Sequence, residues 1–126
     1  MRRALADVLP QFNTIIFDHA GEMRRWLSAG NFLHVVLISL DHDLIAPPGQ
    51  DAGCGRDVAD YLAERPCVCP VIVHTSNVHA APGMMHVLRA SEWVCSFVSP
   101  RDDLAWIAAE WRDEVEQYLR RGLIFA

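Results

Sequence analysis

Lysine is missing from this chain altogether: all eleven basic residues are arginine, set against sixteen acids, for a formal net charge of −5. A broad basic face able to grip nucleic acid is thereby excluded, so no extended nucleic-acid surface is expected, although a local arginine contact to one phosphate is compatible with this balance. Long apolar runs are lacking too. Nothing approaches the roughly 20 residues that cross a bilayer, and Met1-Arg2-Arg3-Ala4-Leu5 has no apolar core of a signal peptide, so a cytoplasmic protein without membrane contact is expected. Cysteine is scarce and poorly spaced for a metal. Cys54, Cys67, Cys69 and Cys95 include one close pair with a single intervening residue and no second pair, which argues for reduced, mostly buried thiols rather than a zinc site.

The chain does have apolar content, 52% over 126 residues, enough for the core of one domain spanning 1–126. Val35 to Leu40 and Pro70 to Val73 are nearly continuous β-branched and aliphatic runs, the pattern of strands covered on both faces in a parallel sheet. Thr14 to Phe17 reads as a further short strand and Trp93 to Val98 as the last. Between them, helical spacing marks Gly21 to Ala29, stopped by Gly30-Asn31, then Arg56 to Arg65, stopped by Pro66, and Gly83 to Ala90. A final helix follows Ser99-Pro100 with Asp102 in its first turn, and Leu104, Ile107, Ala108, Trp111, Val115, Tyr118 and Leu119 mark its apolar face. Met1 to Leu9 looks helical. The Pro- and Gly-rich stretch from Ile45 to Gly55 reads as a mobile loop placed like a lid.

Strands alternating with helices imply an open α/β sheet with right-handed crossovers. In such sheets ligands bind beyond the carboxyl ends of the strands. Asp41-His42-Asp43 closes one apolar run and His74-Thr75-Ser76-Asn77 closes another, so neighbouring strands would bring two imidazoles to one rim. A group titrating near neutrality can take a proton from water or give one to a departing oxygen, which makes His42 and His74 candidate acid–base residues. Asp41 or Asp43 would orient an imidazole, and Asn77, Thr75 and Ser76 would bind the substrate. Each of Asp43, Thr75 and Ser76 taken alone reads better as a loop-capping residue than as a functional one. No cofactor is required. A divalent metal on Asp41, His42, Asp43 and His74 ranks lower, because adjacent strand residues point to opposite faces. His79 and His86 read as exposed, and His19 and His34 carry no assignment.

Leu40-Asp41-His42-Asp43-Leu44, Gly55-Arg56-Asp57-Val58-Ala59-Asp60-Tyr61-Leu62, His74-Thr75-Ser76-Asn77 and the segment Met84 to Leu88 together resemble the cyclic-phosphate processing receiver-like family, over roughly residues 14 to 121. The resemblance implies a three-layer, receiver-like (flavodoxin-like), mostly parallel sheet of four to five strands, four if the usual first strand is absent. It further implies hydrolysis of a cyclic phosphate ester, of nucleotide or RNA-end type, by the paired histidines. The chain departs from the family where paired acids usually end an opening strand, and at Val78, Ala80 and Gly83 after the histidine motif. A receiver that accepts phosphate on aspartate would use Asp41 and a lysine after the last strand. Ser99-Pro100 stands there instead and Arg101 comes one residue late, so phosphoreceiver activity ranks below hydrolysis. A non-catalytic binding module is the other alternative. An open sheet edge could seat a second copy or a partner protein.

Overall fold

The computed structural model describes residues 12–45, 48–101 and 104–124. The helix expected over Met1 to Leu9 lies outside these residues, as do Asp102 and the Ala46-Pro47 part of the expected lid. Among the described residues the chain runs α1 (Ala20–Trp26), β1 (Ile38–Leu40), α2 (Gly55–Ala63), β2 (Val71–Val73), α3 (Ala81–Ala90), β3 (Cys95–Phe97) and α4 (Arg112–Arg120). The three strands form one parallel sheet in the order β1-β2-β3. Ile38 faces Val71 and Leu40 faces Val73, while Val71 faces Cys95 and Val73 faces Phe97.

Period-two alternation sorts these strands onto two cores. Ile38, Leu40, Val71 and Val73 point to one face, where Ala20 and Leu27 from α1 and the turn after it, Val58, Ala59 and Leu62 of α2, and Met84, Met85 and Leu88 of α3 cover them. Ile72 points to the other face and meets Trp106, Ile107, Trp111, Val115 and Tyr118 of the last helical segment. The result is three layers, with three helices on one side of the sheet and one on the other. Fully burying side chains of this size stabilises each by about 1.5–3 kcal/mol relative to exposure, which is why such short strands persist.

Two serines sit inside this apolar scheme for a stated reason. Ser39 and Ser96 flank Ile72 across the sheet, and an aromatic group of the covering helix satisfies each. Trp111 Nε1 donates to Ser39 Oγ at 3.0 Å, and the Tyr118 hydroxyl hydrogen bonds Ser96 Oγ at 2.6 Å. On the opposite layer Trp93 Nε1 donates to the carbonyls of Leu62 and Arg65 at 2.9 and 3.0 Å. A buried hydroxyl or indole without such a partner would cost about 1–3 kcal/mol.

Several sequence-based expectations need correction. Thr14 to Phe17 is not a strand, so the sheet has three described strands rather than four or five. Phe12 and Ile16 pack instead against the Ile72 core, and Phe17 lies 5.9 Å from the Trp26 ring. The last helix does not carry one even stripe. A π-turn spans Ile107–Trp111, Trp106 just ahead of it is buried, and Leu104, which precedes the helix, and Ala108 are exposed. Helix α3 starts earlier than Gly83 because Pro82 is tolerated in a first turn. Of the four thiols only Cys69 is buried, Cys67 is exposed and Cys54 and Cys95 are in between. No helix among the described residues is long and apolar enough to cross a membrane.

Candidate active site

The parallel register places Asp41 opposite His74 just past the paired residues, so the carboxyl ends of β1 and β2 form one rim, as their apolar runs predict. The backbone there is held tightly. His74 N–H donates to the Leu40 carbonyl at 2.8 Å, and Gly55 N–H donates to the His42 carbonyl at 2.9 Å. The first turn of α2 is thus pressed against the residue that follows β1. Only glycine fits: a Cβ on Gly55 would overlap the Asp41 carbonyl and crowd Met84 Cε at 2.9 Å. An isolated antiparallel bridge between Asp43 and Cys54 closes the intervening loop at its base, and Ala20 N–H pins it again through the Ala52 carbonyl at 2.8 Å.

His42, Asp43 and Asn77 come together. His42 Nδ1 lies 2.8 Å from Asp43 Oδ1, with Asn77 Nδ2 3.4 Å from both His42 Nδ1 and Asp43 Oδ2. A carboxylate can only accept, so the pairing requires the proton on Nδ1 and leaves Nε2 as the free nitrogen. The imidazole side chain is 24% exposed. Asn77 is fixed from its other end: Oδ1 accepts from the backbone N–H groups of His79 and Ala80 at 3.2 and 3.1 Å, which shapes the entry into α3. Its amide N–H group therefore aims at the cluster by construction.

His74 reaches the same rim in a different state. It is buried, with its ring 5.3 Å from that of Trp106. Desolvation pushes its pKa below the ordinary 6.5, an effect that Asp41 and a hydrogen bond to the Ser39 backbone only partly oppose. No hydrogen bond or ion pair joins it to His42 among the described residues. The two imidazoles are brought to one rim without a hydrogen bond between them. Thr75 is also buried, and its hydroxyl accepts the Asn77 N–H at 3.0 Å, so it shapes the turn; Ser76 is exposed.

A cavity of about 660 Å³ runs along the edge of β1 that no other strand pairs among the described residues, bounded by Ile16, Leu37, Ser39 and Trp111, and takes in Asp41, Asp43 and His74 at the rim. Neither His42 nor Asn77 lines it. No group of three or more histidine, cysteine, aspartate or glutamate side chains among the described residues is arranged to hold a metal ion. Arg101 pairs with Glu110 at 3.1 Å. Sequence reasoning missed Gly55 as the fulcrum of the rim and Trp106 as the partner of His74. A glycine opening a helix directly after a loop was the available signal for the first, and none existed for the second.

Fold and rim together define a three-layer α/β domain that carries its polar residues beyond the carboxyl ends of parallel strands. The family model of the cyclic-phosphate processing receiver domain matches residues 3–90, and the chain belongs to that family. Neither a curated protein nor a solved structure matches it significantly.

Proposed function

We propose that the chain hydrolyses a cyclic phosphate ester at this rim, with His42 as the proton-transferring residue. The observation that supports the reading is the His42–Asp43–Asn77 cluster: an accessible imidazole whose tautomer is set by a carboxylate, on the carboxyl rim of a receiver-like sheet. Water attacks phosphorus and its proton passes to Nε2 of His42. One ring P–O bond breaks, and the imidazolium returns a proton to the departing alkoxide oxygen. The product is an acyclic phosphomonoester with a free hydroxyl, one water having been consumed. Asp43 holds the ring and stabilises the cation formed in passing, and Asn77 Nδ2 donates to a phosphate oxygen. His74, kept neutral by burial, acts as a positioning residue beside Asp41 in this scheme rather than as an interchangeable second acid.

The dry setting of His74 also favours a second reading, a module that binds a cyclic phosphate without opening it. An aspartate phosphoreceiver fits less well, since lysine is absent and Arg101, the nearest cation after β3 in sequence, is engaged by Glu110. A panel of 2',3'- and 3',5'-cyclic nucleotides incubated with the purified chain, with and without chelator, separates these. Monoester formation that survives chelation is the expected result. Saturable binding with no product would replace hydrolysis with the binding module.

A further inference from the structure

Away from the rim, α1 packs against α2 and the pair leaves a concavity on its outer surface. Gly21, Arg24, Arg25, Ser28, Ala29 and Tyr61 line it. The Ser28 and Tyr61 hydroxyls hydrogen bond at 2.8 Å and tie the two helical segments together. Arg65 stacks on the Tyr61 ring with its guanidinium carbon 3.4 Å from the centroid, while Arg24 stands 6.0 Å from it. Arg25 folds back over the helix start, its Nη1 3.7 Å from where a Cβ on Gly21 would lie.

Two guanidinium groups, those of Arg24 and Arg65, therefore stand over one phenol, and Arg25 lines the same concavity, in a chain of net charge −5. The ion pairs among the described residues are His42–Asp43, Arg56–Asp60, Arg101–Glu110 and Arg112–Glu116, and none uses Arg24, Arg25 or Arg65. Glu22 and Glu64, the acids nearest in sequence on these helices, do not pair with them. Arg65 donates one N–H to the Tyr61 carbonyl at 2.6 Å and forms no ion pair among the described residues. Like charges held together without a counter-ion repel, and the planar guanidinium fork matches phosphate oxygens, so an anion of that geometry relieves the repulsion and is bound by it. Phosphate is thus the chemistry this surface fits.

Its placement suggests whose phosphate. Tyr61 follows Gly55, the glycine against the His42 carbonyl, by six residues on one helix, which is about 9 Å along the axis. A short single strand spans that separation. We infer that the concavity is a second phosphate subsite, which seats an upstream phosphate of a single-stranded RNA whose terminal cyclic phosphate reaches His42. This rests on the cyclic-phosphate reading above and narrows its substrate from a mononucleotide to an RNA end. Two or three arginines suffice for one or two phosphates, in keeping with the absence of a wide basic face.

The test compares the wild-type chain with the double variant Arg24→Gln/Arg25→Gln, whose substitutions lie on exposed side chains. Each is titrated by fluorescence anisotropy with a labelled RNA pentamer ending in a 2',3'-cyclic phosphate, and each is assayed for turnover of the pentamer and of a 2',3'-cyclic mononucleotide. The variant is expected to bind the pentamer about tenfold more weakly, with the slope of log affinity against log salt shallower by about 0.7 for the one lost phosphate contact. Where turnover is measurable, KM should rise for the pentamer and stay unchanged for the mononucleotide. Equal pentamer affinity and equal salt slope in the two proteins would overturn the subsite. Absence of turnover on both substrates would instead count against hydrolysis, while the anisotropy comparison still decides whether the arginines hold phosphate.

Discussion

His42 and His74 end neighbouring parallel strands, yet the sheet gives them opposite surroundings. His42 stands partly open with a carboxylate on one ring nitrogen and an amide beside it. His74 is folded under the last helix against Trp106, short of water and held neutral. The rim supplies position to both, but it leaves only the His42 ring partly open to solvent. An imidazole at the carboxyl edge of a strand is thus not by that fact a catalyst; the layer that covers its ring decides.

The sharpest way to break this contrast is to truncate each ring in turn and measure stability by chemical denaturation. His74→Ala removes a buried ring and should cost about 2–4 kcal/mol, whereas His42→Ala should stay within about 0.5 kcal/mol of the parent. Similar losses for the two would show that the environments do not differ. Next in size, Gly55→Ala drives a methyl group into the Asp41 carbonyl and should destabilise by about 1–3 kcal/mol while displacing the backbone of His42. A crystal structure of that variant with an undisturbed rim would remove Gly55 from the account.

A smaller effect concerns pH. His74 has a folded-state pKa below its ordinary 6.5, so the unfolded chain binds the proton more readily and stability must rise with pH. The contribution is complete above 6.5 and is lost as pH falls below that value towards the depressed folded pKa. Thermal melting points across pH 5 to 8 should show this loss in the parent and a weaker one in His74→Phe, which keeps the ring and removes the titration. Identical profiles for the two proteins would mean that His74 protonates as freely as an exposed imidazole.

The sequence carried the strands that are buried on both faces, because continuous β-branched runs have few other uses. It carried the residue types at the rim for the same reason, since Asp41, His42, His74 and Asn77 interrupt those runs abruptly. It did not distinguish a paired strand from an extended segment, and Thr14 to Phe17 shows why: the same four residues bury Ile16 on the α4 side without joining a ladder. Nor did it reveal which rim residue would be covered, because the fate of His74 depends on Trp106, which lies just ahead of a π-turn that leaves no mark in apolar spacing. Ser39 and Ser96 looked like breaks in strand hydrophobicity and are satisfied by Trp111 and Tyr118, partners far away in the chain.

The most direct measurement is the rate at which a 2',3'-cyclic nucleotide becomes its monoester in the presence of the parent chain, His42→Ala and Asp43→Asn. If His42 transfers the proton, product forms with the parent, the rate falls about a hundredfold or more for His42→Ala, and it falls less for Asp43→Asn, which loses the charge but keeps the shape. Unchanged turnover in His42→Ala would contradict it.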